Sequence, residues 1–240
     1  MRVLRQDAAR TRHSLLAAAS EIFAEKGFRD ATIATISKRA GTNVAAVNYH
    51  FGDKQTLYRE AWRQSFRDSM EAHPPDGGVD PKAPPKQRLA GLVAALLRRI
   101  NDKDNREFHI VYRELANPTG LLEEVLKEEM LPLRRRIIAL MREVLGRRSS
   151  ETQVRFYAIS ILSQCIIPAF INMAERLGTS PEGESWEVTD IEGYAEPVIS
   201  FSLAGMAAIG RGTKTPAIRG TQLPRTDQSF EAQRSSTDHT

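Results

Sequence analysis

At 240 residues, with 41% hydrophobic and 27% charged residues, the chain has room for one or two packed domains and the composition of a globular protein with a core. Its net charge of +4 is concentrated at the front: residues 1–73 carry 12 Lys/Arg against 8 Asp/Glu, and the remainder is balanced. The lone cysteine, Cys165, excludes an intramolecular disulfide, and the residues after Met1 have no signal-peptide pattern, so a reducing, cytoplasmic setting is expected.

Apolar residues recur at helical spacing nearly everywhere and no run alternates like a strand, which predicts an all-α chain. A first helix is expected from Ala8 to Lys26, with Leu15, Ala19, Ile22 and Phe23 as its apolar stripe and Gly27 as its stop. Two short helices follow, Ile33–Ala40 and Val44–His50, and then a longer one capped by Asp53 that carries Leu57, Tyr58, Trp62 and Phe66 to about Ala72. Five prolines and two glycines between Pro74 and Pro85 predict a semi-rigid hinge. Beyond it, helices are expected at Lys86–Asn101, Arg106–Asn117, Pro118–Leu145 (through Pro132), Glu151–Leu177 and Asp190–Ile209, with a loop over Gly178–Glu187. The domains are thus 1–73, a hinge 74–85 and a helical domain 86–210; residues 211–240, poor in apolar side chains, are expected to be a disordered tail. The uncharged run Phe156–Ala174 is long enough to span a membrane, but its Ser160, Ser163, Gln164, Pro168 and Asn172 fit a buried core helix better.

The stretch Thr32–Lys54 carries the functional signal. Two helices of about two turns joined at Gly41 make a helix-turn-helix. Ile33, Ile36, Ala40, Val47 and Phe51 point inward; Ala45, Ala46 and Tyr49 point outward, flanked by Val44, Asn48 and His50. An outward face of alanines and asparagine suits a helix pressed into a major groove, where Asn can bond an adenine edge and methyl groups can meet thymine methyls.

Residues 8–58 resemble the DNA-binding domain of the TetR (tetracycline-repressor-like) family, through Gly27-Phe28, Thr32, Ile36, Ala40-Gly41, Tyr49-His50-Phe51, Lys54 and Leu57. The resemblance implies phosphate contacts from Thr32, Asn43, Tyr49, His50 and Lys54, and a base-facing set of Val44, Ala45, Ala46 and Asn48. The family usually has Tyr where this chain has Asn48, which implies altered sequence preference. Farther on, Arg113-Glu114-Leu115, Asn117-Pro118-Thr119, Pro132 and the Gln164-Cys165 helix resemble the C-terminal domain of repressors of efflux or stress-response operons.

In that second domain, His109, Tyr112 and Arg113 on one helix and Phe156, Tyr157, Gln164 and Cys165 on another either line a ligand pocket or satisfy one another in the core. Cys165 lies among Ile161, Leu162 and Ile166, the setting of an inert buried thiol more than of a redox sensor. The last two helices carry more apolar surface than one core requires, which assigns Ile159, Leu162, Ile166, Val198, Phe201 and Gly205 to a homodimer interface. No metal-ligand spacing, phosphate-binding loop, dinucleotide motif or nucleophile elbow is present, so neither a cofactor nor an enzymatic activity is expected. The resulting expectation is a homodimeric repressor of operator DNA released by a small-molecule effector. The alternative is a ligand-independent or architectural DNA-binding factor, and a drug-sized cavity in the second domain would discriminate the two.

Overall fold

The computed structural model describes residues 2–102, 104–147, 149–176, 178 and 185–210. The expected tail over 211–240 and most of the expected 178–187 loop lie outside the described residues. Among the described residues there are nine helices and no strand: α1 Arg2–Asp30, α2 Ile33–Arg39, α3 Val44–Phe51, α4 Lys54–Ala72, α5 Pro85–Asn101, α6 Arg106–Ala116, α7 Glu123–Leu145, α8 Glu151–Arg176 and α9 Ile191–Gly210.

Helix α1 starts earlier than its apolar stripe suggests, and Gly27 breaks it as its lack of a Cβ allows, at φ 73° and ψ 178°. The expected Pro118 start of α7 is corrected to Glu123, since residues 118–122 form a turn; Pro132 sits inside the helix, which continues through it.

Two apolar cores hold the molecule. The first gathers Leu15, Ala19, Ile22 and Phe23 of α1, Ile36 of α2, Val47 and Phe51 of α3, and Leu57, Tyr58 and Trp62 of α4. Phe23 meets Tyr58 edge-on, with ring centroids 4.7 Å apart, and each such ring contributes about 1.5–3 kcal/mol by leaving water. This core does not stop at the hinge: Ile110 of α6, Leu122 before α7 and Val125 within it belong to it. The second core joins α5, α7, α8 and α9 through residues such as Leu89, Leu97, Met141, Ile161, Cys165 and Val198. Met70 near the end of α4 packs against both.

The Pro/Gly stretch is docked rather than free. A Cβ on Gly91 of α5 would fall 2.5 Å from the Asp76 carbonyl oxygen, and one on Gly77 (φ +63°) would fall 2.5 Å from the Gly91 carbonyl oxygen. Two residues without side chains let the hinge lie directly on α5. Beside it, a buried pair ties α4, α5 and α6 together: Arg99 bonds Glu107, reaches Ser69 Oγ at 3.1 Å and stacks 5.1 Å over the Phe66 ring. Burial pushes the Glu107 carboxyl above its ordinary range, and Arg99 offsets only part of that.

Candidate nucleic-acid interface and effector cavity

Thr32 caps α2 by accepting from the Thr35 amide at 3.1 Å, while the Thr35 hydroxyl accepts from the Thr32 amide at 3.2 Å. Gly41 turns the chain at φ +65°, and the Thr42 amide closes the turn on the Ser37 carbonyl at 2.9 Å. Asn43 then caps α3, its Oδ1 accepting from the Ala46 amide at 2.9 Å. This use of Oδ1 leaves the Asn43 side-chain amide as a donor toward an external anion.

Val47 and Phe51 are buried, and the opposite side of α3 is open: Val44, Ala45 and Asn48 are exposed and Tyr49 is 80% exposed. His50 is half-buried against its neighbours, with its ring centroid 4.9 Å from that of Tyr49. Ala46 is half-buried and packs in part against the first core, so it presents less surface outward than Val44, Ala45 and Asn48. Lys54 is also more engaged than a free surface lysine: Nζ sits 4.4 Å over the Phe28 ring and donates to the Arg29 carbonyl at 3.4 Å. Burial there lowers its pKa, and Asp30 opposes the shift.

The seven residues grouped as a ligand pocket do not come together. His109, Tyr112 and Arg113 line a cavity of about 440 Å³ with Asp102, Ala169 and Met173, between α6, the end of α5 and α8. Phe170 lies close by, 5.7 Å from Phe108 and 5.6 Å from Tyr112 between centroids. Phe156, Tyr157 and Gln164 instead line an open groove of about 390 Å³ between α8 and α9, on the other side of α8. Cys165 joins neither; it is fully buried in the second core, and burial pushes its thiol up to about 12. The helical phase of α8 explains the split, since positions 156, 157 and 164 share a face that 169 and 173 do not.

The groove side of α8 and α9 is apolar and uncovered. Phe156 is 65% exposed and Phe201 71%, with half-buried Gly205 between them in the groove; Ile159, 59% exposed, flanks it, whereas half-buried Leu162 and Ile166 fall in helical phase with Ala169 and Met173 on the cavity side of α8. Val198 is corrected out of this set: it is buried in the chain's own core. Helix α8 meets the length and composition of a membrane span, yet only 28% of its most apolar window is buried, so the uncharged run is core on one face and open on the other.

What the sequence alone missed is the clasp between cavity and helix-turn-helix. Arg113 donates to the carbonyls of Glu25 at 2.8 Å and Ala24 at 3.4 Å, the last turn of α1 before the Gly27 break. Its neighbour Glu114 accepts from the Tyr58 hydroxyl at 3.0 Å, from the Thr119 amide at 2.8 Å and from the Gly120 amide at 2.9 Å. Burial, then the Glu114 charge, raises the Tyr58 pKa. The Arg113-Glu114 and Pro118-Thr119 motifs hinted at this only as a resemblance.

Two family models match this chain. Residues 15–61 match the tetR family of bacterial regulatory proteins, and residues 85–206 match the C-terminal domain of the HTH-type transcriptional dual regulator CecR. The chain belongs to the TetR family. Among curated relatives, the HTH-type transcriptional regulator BetI of Stenotrophomonas maltophilia is 40% identical over 74 residues, 30% of this chain and 38% of BetI. The chain therefore spans only 30–38% of the first relatives' length. The fold likeness extends further. A TetR-like transcriptional regulator from Rhodococcus sp. RHA1 superposes with a TM-score of 0.58 at 18% identity, covering 82% of this chain and 96% of that one. NalD of Pseudomonas aeruginosa, the secondary repressor of the MexAB-OprM multidrug efflux pump, gives 0.53 at 20% identity, covering 82% and 97%.

Proposed function

We propose that this TetR-family protein is a homodimeric repressor that reads an inverted-repeat operator through α3 and is released when a small molecule enters the cavity beside α6. The observation that carries the reading is the double use of α6. One of its faces lines a cavity of about 440 Å³, within the range of drug-sized sites, and Arg113 and Glu114 on the same helix hold α1 and α4 of the reading head. That cavity favours the ligand-released reading over the ligand-independent alternative.

The open α8–α9 face supports the dimer. A lone eight-residue recognition helix spans too few base pairs to be selective, and a twofold axis would set two of them about one DNA turn apart, roughly 34–36 Å. Exposed Val44, Ala45 and Asn48 would face bases, while Thr32, the Asn43 amide, Tyr49, His50 and Lys54 would meet phosphates. Binding-site selection followed by fluorescence anisotropy tests this. The expected result is an inverted repeat bound far more tightly than random duplex, and selection that returns no preferred sequence would contradict it.

A further inference from the structure

The cavity has a chemical polarity that names its ligand. His109, Tyr112 and Arg113 stand at positions i, i+3 and i+4 of α6 and all line it, so one wall presents an imidazole, a hydroxyl and a guanidinium. The facing wall is apolar, with Ile100, Ala169 and Met173. The acceptors nearby are committed. Asp102 takes the His73 ring nitrogen at 2.7 Å and the Asp104 amide at 2.9 Å. Asn172 is clamped on Val188, accepting its amide at 2.8 Å and donating to its carbonyl at 3.0 Å. A cationic guest would meet the like charge of Arg113. An anionic guest would meet the Tyr112 hydroxyl and the Arg113 guanidinium as donors.

The geometry points to an amphipathic carboxylate as the effector, its ring or chain against Ala169 and Met173 and its charge on the α6 donors, with Arg113 as both anchor and lever. This rests on the ligand-released reading above and adds the ligand's class and its route to DNA. In this structure, Arg113 donates from Nε and one Nη to the neutral carbonyls of Ala24 and Glu25. A carboxylate makes charge-assisted bonds roughly twice as strong as neutral ones, so it draws the guanidinium toward itself. The end of α1 then loses the side chain that completes its last carbonyls, and α1 is the helix against which α2 and α3 pack. By reciprocity, operator-bound protein must bind the acid more weakly than free protein does.

A matched trio tests this on the full chain: naphthylacetate, naphthylacetamide and naphthylmethylamine, with affinity read by calorimetry and α1 by hydrogen exchange. The acid should bind about tenfold or more tighter than the amide and the amine, release operator, and speed exchange at amides 24–30. Arg113→Gln should abolish the preference for the acid and speed the same amides without ligand. Tyr112→Phe, which leaves the α1 clasp intact, should weaken the acid alone. Tighter binding of the amine or amide with operator release overturns the carboxylate while the ligand-released reading stands. Binding of none of the three, by a protein that still holds operator, overturns the proposal, as does acid binding without faster exchange in α1.

Discussion

Single side chains in the reading head divide into those that position and those that read. Lys54 belongs to the first kind: its ammonium braces Phe28 and Arg29 and keeps donors for a phosphate. Lys54→Ala should therefore weaken operator and random DNA alike and lower the salt slope by about one ion. An unchanged salt slope, measured by anisotropy, would remove it from the phosphate set. Asn48 is exposed and free to face a base, so Asn48→Ala should cost about 1–3 kcal/mol at one operator position. Repeated selection with the mutant should lose preference there and nowhere else. Cys165 is the opposite kind of residue. With its thiol pushed from 9.0 to about 12 by burial, it stays protonated in the folded protein. The unfolded chain releases that proton from about pH 9 upward, so the native state loses stability as pH rises from there toward 12. Thiol reagents at pH 8 should label it only as the protein unfolds, and rapid labelling of native protein would show that the core around it opens.

At the scale of elements, periodicity served well where one face of a helix is buried and failed where two faces have different jobs. Leu15, Ala19, Ile22 and Phe23 marked α1 because they all face one core, and Gly27 marked its break through a φ that only glycine takes readily. Helix α8 was harder. Its uncharged run reads as a core helix, but one side carries Ala158, Ile161 and Cys165 inward while Phe156 and Ile159 lie open. Ser160 and Ser163 mark the open side, but the bulky apolar Phe156, Ile159 and Ile167 beside them blur the contrast with the buried face. The clasp was illegible for a different reason: Arg113 and Glu25 are 88 positions apart, and a bond from a guanidinium to a backbone carbonyl leaves no trace in the identity of the acceptor. The same holds for the docked hinge. Gly77 and Gly91 look like ordinary turn and helix glycines until the chain brings them into contact. Gly91→Ala should destabilise the fold by about 1–3 kcal/mol through overpacking, as read by chemical denaturation, whereas a neutral effect would mean that the hinge can lift away from α5 freely.

The whole molecule consists of two cores joined by α4, α6 and the Arg99–Glu107 pair, with one apolar face of α8 and α9 left over. In the proposed dimer, that face would bring two reading heads to act together. Phe201, 71% exposed, is a side chain whose replacement by a carboxylate would cost little in the monomer and much in the proposed dimer. Sedimentation velocity of the wild type and Phe201→Asp, each with and without an inverted-repeat duplex, is the most direct test. The expected result is a wild-type dimer at micromolar concentration that sediments as two chains per duplex, and a folded Phe201→Asp monomer that has lost operator binding with its helix-turn-helix untouched. A wild-type monomer that binds a single half-site as tightly as the full repeat would contradict it.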